Sequence, residues 1–143
     1  MPSGSCFCGN LKISYTGEIQ AKALCHCADC KKITGSTYST NIIVPGEGFE
    51  VSGSSHKKYA KTADSGNEIV SHFCADCGTT LFRDGASFGP NKVIKVGVLD
   101  DHNALKDAQP ALELFVPERT PWVSSVSGAT QLETMPGSHD VSA

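Results

Sequence analysis

The sequence predicts an all-β (mainly β) fold of packed antiparallel sheets. Two patterns predict it. Short segments alternate apolar and polar residues, the period that lays one face of a strand on a core, and Gly, Pro or Asn interrupts them at short intervals. Stretches with a helical period are nearly absent.

The elements follow in order. Leu11 to Tyr15 alternates as a half-buried strand should. Asn41 to Val44 is a second strand, stopped by Pro45-Gly46. Phe49 and Val51 mark a third, ended by Gly53, with His56 to Ala60 as the other arm of a hairpin. Glu68 to Phe73 alternates again, and Thr80 to Arg83 follows the next cysteines. Val93 to Leu99 is the strongest strand, and its near-continuous apolar run predicts a central position. Leu112 to Val116 closes the series. One short helix is expected from Ala28 to Thr34, ended by Gly35, and a helical turn over Asp101 to Asp107. The chain is expected to form one domain over residues 1–123. The tail, 124–143, is rich in Ser, Gly and Thr and is expected to be loosely attached.

Composition excludes several function classes. The chain has 143 residues and a net charge of -3, against the basic surface of a nucleic-acid binder. No apolar run reaches the length of a membrane span. Met1 to Cys6 lacks the basic and apolar regions of a secretory signal, so a cytoplasmic protein is expected, without nucleic acid or membrane as partner.

Seven cysteines cannot all pair within one chain, and a reducing compartment keeps thiols free. They form three groups: Cys6-Phe7-Cys8-Gly9, Cys25-His26-Cys27-Ala28-Asp29-Cys30 and Cys74-Ala75-Asp76-Cys77-Gly78. Clustered thiols of this kind point to zinc, which takes thiolates in a tetrahedron. Seven ligands suggest four plus three: a closed structural site and a site with one open position. Spacing alone leaves the partition open, since Cys27 and Cys30 with Cys74 and Cys77 would make a zinc ribbon. Gly9 and Gly78 each follow a second thiol, where a positive φ lets backbone N–H groups turn toward sulfur. They favour Cys6, Cys8, Cys74 and Cys77 as one set and Cys25, Cys27 and Cys30 as the other. For the three-thiol set the alternatives are completion by His56 or His72, or a redox pair of Cys27 and Cys30; for Cys6, Cys8, Cys74 and Cys77, the alternative is reduced core thiols. On an extended segment His26 points away from its cysteine neighbours and reads as a packing residue.

At these groups the chain resembles the glutathione-dependent formaldehyde-activating enzymes, a family that includes centromere protein V. The likeness extends through Pro45, Phe49, Gly97-Val98-Leu99-Asp100-Asp101 and Arg119-Thr120-Pro121-Trp122. It implies packed β-sheets of the type shared with a zinc-binding Rab exchange factor and methionine sulfoxide reductase B. It implies two zinc ions per chain: a structural one on Cys6, Cys8, Cys74 and Cys77, and a catalytic one on Cys25, Cys27 and Cys30. The implied activity joins glutathione to formaldehyde, a carbon–sulfur lyase reaction in reverse. A non-catalytic zinc-stapled binding module is the alternative. Lys31, Lys32 or the loop Thr34-Gly35-Ser36 are candidates for the carboxylates of glutathione, and His26, His56 and His72 have the pKa class for proton transfer. A sulfoxide reductase would need a redox cysteine outside the metal ligands, and this partition leaves none.

Overall fold

The computed structural model describes residues 1–63 and 65–142. Its strands are β1 (Ser3–Ser5), β2 (Leu11–Ser14), β3 (Ala21–Cys25), β4 (Ser39–Pro45), β5 (Glu50–Gly53), β6 (His56–Thr62), β7 (Glu68–Cys74), β8 (Thr80–Asp84), β9 (Asn91–Lys95), β10 (Leu112–Leu114) and β11 (Thr130–Gln131), with helices α1 (Ala28–Thr34) and α2 (Ala104–Asp107). The small sheet has the order β1-β2-β5; the large one has the order β11-β10-β3-β4-β9-β8-β7-β6. The fold is mostly β, as the alternation predicts.

Alternation places the core. In β2, Leu11 and Ile13 are buried while Lys12 is exposed. They meet Ile42 and Val44 of β4, Phe82 of β8 and Ile94 of β9, which all point from the large sheet into the same cluster. Phe82 is central there: the Phe49 ring packs edge-on at 4.7 Å and the His72 ring stacks at 4.1 Å. The other face of the large sheet carries Ala23, Asn41, Ile43, Val93, Lys95 and Arg83, because residues directly opposite one another share a face. That face borders the cavity described below.

Helix α1 has the predicted bounds. Cys27 caps its N-terminus, and Gly35 ends it in the left-handed conformation at φ 64, a region that glycine adopts without steric cost. β9 is central, but it stops at Lys95. Val96–Val98 forms a 3-10 turn instead, with Val96 still buried in the core; a short apolar run reports burial and does not distinguish strand from helix. Leu112 to Val116 likewise stops at Leu114, where Phe115 turns to φ 57.

Three expectations are corrected. β6 does not pair with β5. It pairs with β7 over seven residues, from His56↔Cys74 to Thr62↔Glu68, while β5 joins β2. Gly53 at φ 97 and Ser55 at φ 66 turn the chain from one sheet to the other. At Gly53 an added Cβ would lie 2.1 Å from the Asn10 carbonyl, so glycine is required by both space and conformation. Not every pairing is antiparallel, because β10 runs parallel to both β3 and β11. The tail is not loosely attached along its length. Thr130–Gln131 extends the large sheet, and Leu132 is buried against Leu114.

Candidate metal centres and the adjoining cavity

The cysteines converge as four and three. Cys6 follows β1 and Cys74 ends β7, so two strands of different sheets deliver buried thiols to one point, and the turns after them add Cys8 and Cys77. Zinc–sulfur bonds of about 2.3 Å set tetrahedral edges of about 3.8 Å. The Cys6–Cys8 and Cys8–Cys74 sulfurs lie 3.6 and 3.7 Å apart, so a zinc ion fits this donor set in both dimension and softness. Gly9 and Gly78 take φ 83 and 80, as their places after Cys8 and Cys77 predict. The Leu11 N–H donates to Cys6 Sγ at 3.3 Å.

Electrostatics in this set favour sharing of charge. Burial opposes ionisation of Cys6, yet the Leu11 N–H and the neighbouring thiols Cys8 and Cys74 outweigh it and hold its pKa below the ordinary value. The Thr79 hydroxyl beside Cys77, with backbone N–H groups, lowers that thiol to about 5. Cys8 has the Asn10 N–H in its favour, but desolvation and three thiol neighbours push it up to about 12. Without a cation, these sulfurs cannot all ionise together.

The second set is assembled from β3 and α1. Cys25 is the last residue of β3, Cys27 is the helix cap and Cys30 lies in the first turn of α1, its N–H donating to Cys27 Sγ at 3.3 Å. The three sulfurs lie within 4.8 Å of one another. Hydrogen bonds from the Cys25 and Cys27 thiols, with Lys95 and Ser39 nearby, hold Cys30 down at about 2, whereas the thiol neighbours push Cys25 well up. No histidine joins either set among the described residues. His26 is fully buried, with Nε2 2.8 Å from Glu113 Oε1 and its ring edge-on to Tyr38. His56 and His72 meet each other at 2.8 Å, and His72 reaches Asp84 at 2.6 Å. None of these three histidines lines the cavity.

That cavity, about 1030 Å³, has the three-thiol set in its wall. Lys31 and Lys32 are not among its lining residues, and Lys31 Nζ donates to the Glu118 carbonyl at 2.5 Å. The cations that do border it include Arg83 and Lys95, both buried, on adjacent strands β8 and β9. Sequence reasoning passed over them. The available signal was their place on the face opposite Phe82 and Ile94, two residues that alternation sends to the core. Phe115, also on the wall, holds a left-handed conformation that non-glycine residues adopt only under constraint from their surroundings.

The profile of the glutathione-dependent formaldehyde-activating enzymes matches residues 1–118. The chain belongs to this family. No curated protein matches the sequence. Among solved structures, a Rhodobacter sphaeroides protein determined by structural genomics is similar with a TM-score of 0.58 and 17% identity, covering 73% of this chain and 93% of that one. At that identity the likeness speaks for the fold. The family links the chain to glutathione chemistry, and its two cysteine clusters could hold zinc.

Proposed function

We propose that this family member is a zinc-dependent carbon–sulfur lyase acting on adducts between glutathione, or a related thiol, and a carbonyl compound such as formaldehyde. The observation that carries the reading is the contrast between the two thiol sets: four sulfurs meet at one, and only three at the other, which borders a large cavity. In this reading Cys6, Cys8, Cys74 and Cys77 hold a structural zinc ion, and Cys25, Cys27 and Cys30 hold the catalytic one. A zinc ion with three thiolate ligands carries a charge near -1 and supplies a soft fourth position suited to sulfur rather than water.

The chain's own residues set the conditions. β3 and α1 fix the three sulfurs on regular elements, which hold a site more tightly than loops do. Leu114 and Phe115 pack against the triad and exclude water from one side of it. The buried pair of His26 and Glu113 anchors the segment between Cys25 and Cys27.

Cobalt substitution tests the reading. Thiolate-to-cobalt absorption should change when glutathione is added and should stay unchanged with S-methylglutathione, which has no proton to lose on coordination. Protein so loaded should also accelerate formation of the formaldehyde adduct, followed by NMR. A spectral response without turnover would favour the binding module. No response to any thiol would reject the open site.

A further inference from the structure

Arg83 and Lys95 are buried, at 6% and 8% exposure, on the wall of the cavity that holds the three-thiol set. Strand register accounts for their proximity. Arg83 lies opposite Val93 across β8 and β9, and Lys95 is two residues further along β9 on the same face. Lys95 in turn lies opposite Asn41, and Asn41 Oδ1 accepts from Lys95 Nζ at 2.7 Å. Asn41 is itself held by its amide nitrogen, which donates to the Ala23 and Ser39 carbonyls and to Ser39 Oγ. Arg83 Nε donates to Ser71 Oγ at 3.1 Å.

What these two cations lack is a carboxylate. Among the described residues no ion pair involves either of them. Asp29, on the same cavity, pairs with Lys61, and Glu118 reaches neither cation. Among the described residues the Arg83 Nη groups find no acceptor, and the Lys95 ammonium has one partner for three donors. Burying a charge without a counter-charge is expensive, so a fold that holds two such charges side by side has a use for them. The zinc–thiolate set of the reading above would offset one: three thiolates and one Zn²⁺ leave a charge of -1 against two cations. One positive charge remains on the wall.

We propose that Arg83 and Lys95 form a buried anion site that takes a carboxylate carried by the substrate, next to the sulfur-binding position. Planar guanidinium donors suit a carboxylate, and Lys95 supplies a second, fixed point charge. The inference rests on the functional reading above and narrows it: the preferred substrate presents an acid group near the reacting sulfur or carbon. That group comes either from the thiol or from the carbonyl compound, a 2-oxo acid in the second case.

Calorimetry on the full, zinc-loaded chain tests it with matched probes. The thiol arm compares N-acetylcysteine with N-acetylcysteine amide, and the carbonyl arm compares glyoxylate with glycolaldehyde. In at least one arm the charged probe should bind about tenfold or more tightly than its neutral partner, as charge-assisted hydrogen bonds require; the arm that responds identifies the source. Arg83→Gln should abolish that preference, and Arg83→Lys should restore part of it. The comparison on the unaltered protein needs no variant, so a variant that fails to fold leaves the test intact. Equal binding of charged and neutral probes in both arms overturns the anion site, as does a preference that survives Arg83→Gln. If the neutral thiol binds at the metal but no charge preference appears, the anion site fails while the lyase reading stands. If glyoxylate binds through Arg83 but no thiol binds, the lyase reading fails and the anion site stands.

Discussion

Cys74 and Cys27 occupy similar Cys-Ala-Asp-Cys runs but carry different structural burdens. Cys74 is fully buried and belongs to the set joining the small sheet to the large one, whereas Cys27 sits half-buried at a helix cap beside the cavity. Structural zinc supplies folding free energy directly. Cys74→Ser should therefore prevent stable folding. Cys27→Ser should leave a folded chain with about one zinc ion instead of about two, read by circular dichroism and metal analysis. Equal unfolding of both variants would favour the ribbon-type pairing. Phe82 offers a metal-independent check on the core: Phe82→Ala should destabilise by about 3–5 kcal/mol in chemical denaturation, the cost of losing a large buried ring and leaving a cavity. The cysteine groupings were legible because ligand chemistry leaves a dense local pattern. Arg83 and Lys95 were not, because a charged residue on a strand ordinarily reads as a solvated face, and only pairing across β4, β8 and β9 turns that face inward.

Among the elements, β3 and β11 show the limit of local reading. β3, with Ala21-Lys22-Ala23, lacks β-branched residues and carries no strand signal, although it delivers Cys25. β11 is two residues long, and its parallel partner lies 18 residues earlier in the chain. By contrast, α1 was legible to the residue because its stop signal, Gly35, is local. Non-local pairing supports the triad: Leu132 packs with Leu114, Cys25 and Cys30. Glu113, fully buried on β10, accepts from Gln131 Nε2 at 2.8 Å and from the Val126 N–H at 2.7 Å while facing His26 and Arg119. Removing residues 124–143 strips these partners from a buried carboxylate and opens one side of the triad. The expected loss is about 3 kcal/mol or more, together with lower zinc occupancy at Cys25, Cys27 and Cys30. Thermal unfolding and metal analysis of the shortened chain would show both. An unchanged melting temperature would mean that the tail's contacts are dispensable.

For the whole molecule, the clearest pH dependence comes from the edge that joins β6, β7 and β8. Burial lowers the His72 pKa more than the Asp84 carboxylate raises it, and burial likewise lowers His56. Burial works against the Asp84 carboxylate, but Lys92 and His72 outweigh it and hold its pKa low. Each of these groups binds fewer protons folded than unfolded. The histidine contribution is thus complete above the ordinary value of 6.5 and is lost as pH falls through the lower folded value. The Asp84 contribution persists to lower pH and is lost below 3.8. The melting temperature should fall between about pH 7 and about pH 5.5, and His72→Gln should flatten that slope.

The parallel strand β11 also has a consequence for how the native chain breathes. The Thr130 and Leu132 amides donate to the Ala111 and Glu113 carbonyls, and the His26 amide donates to the Leu114 carbonyl from the other side. The β10 backbone is thus clasped between the segment bearing the thiols and the last part of the chain. In deuterated solvent, the Thr130 and Leu132 amides should exchange slowly and in step with His26 rather than with the exposed turns around them. Any event that frees the terminal segment would be recorded first as a loss of deuterium protection beside Cys25, a signal readable in the resting protein with no substrate present.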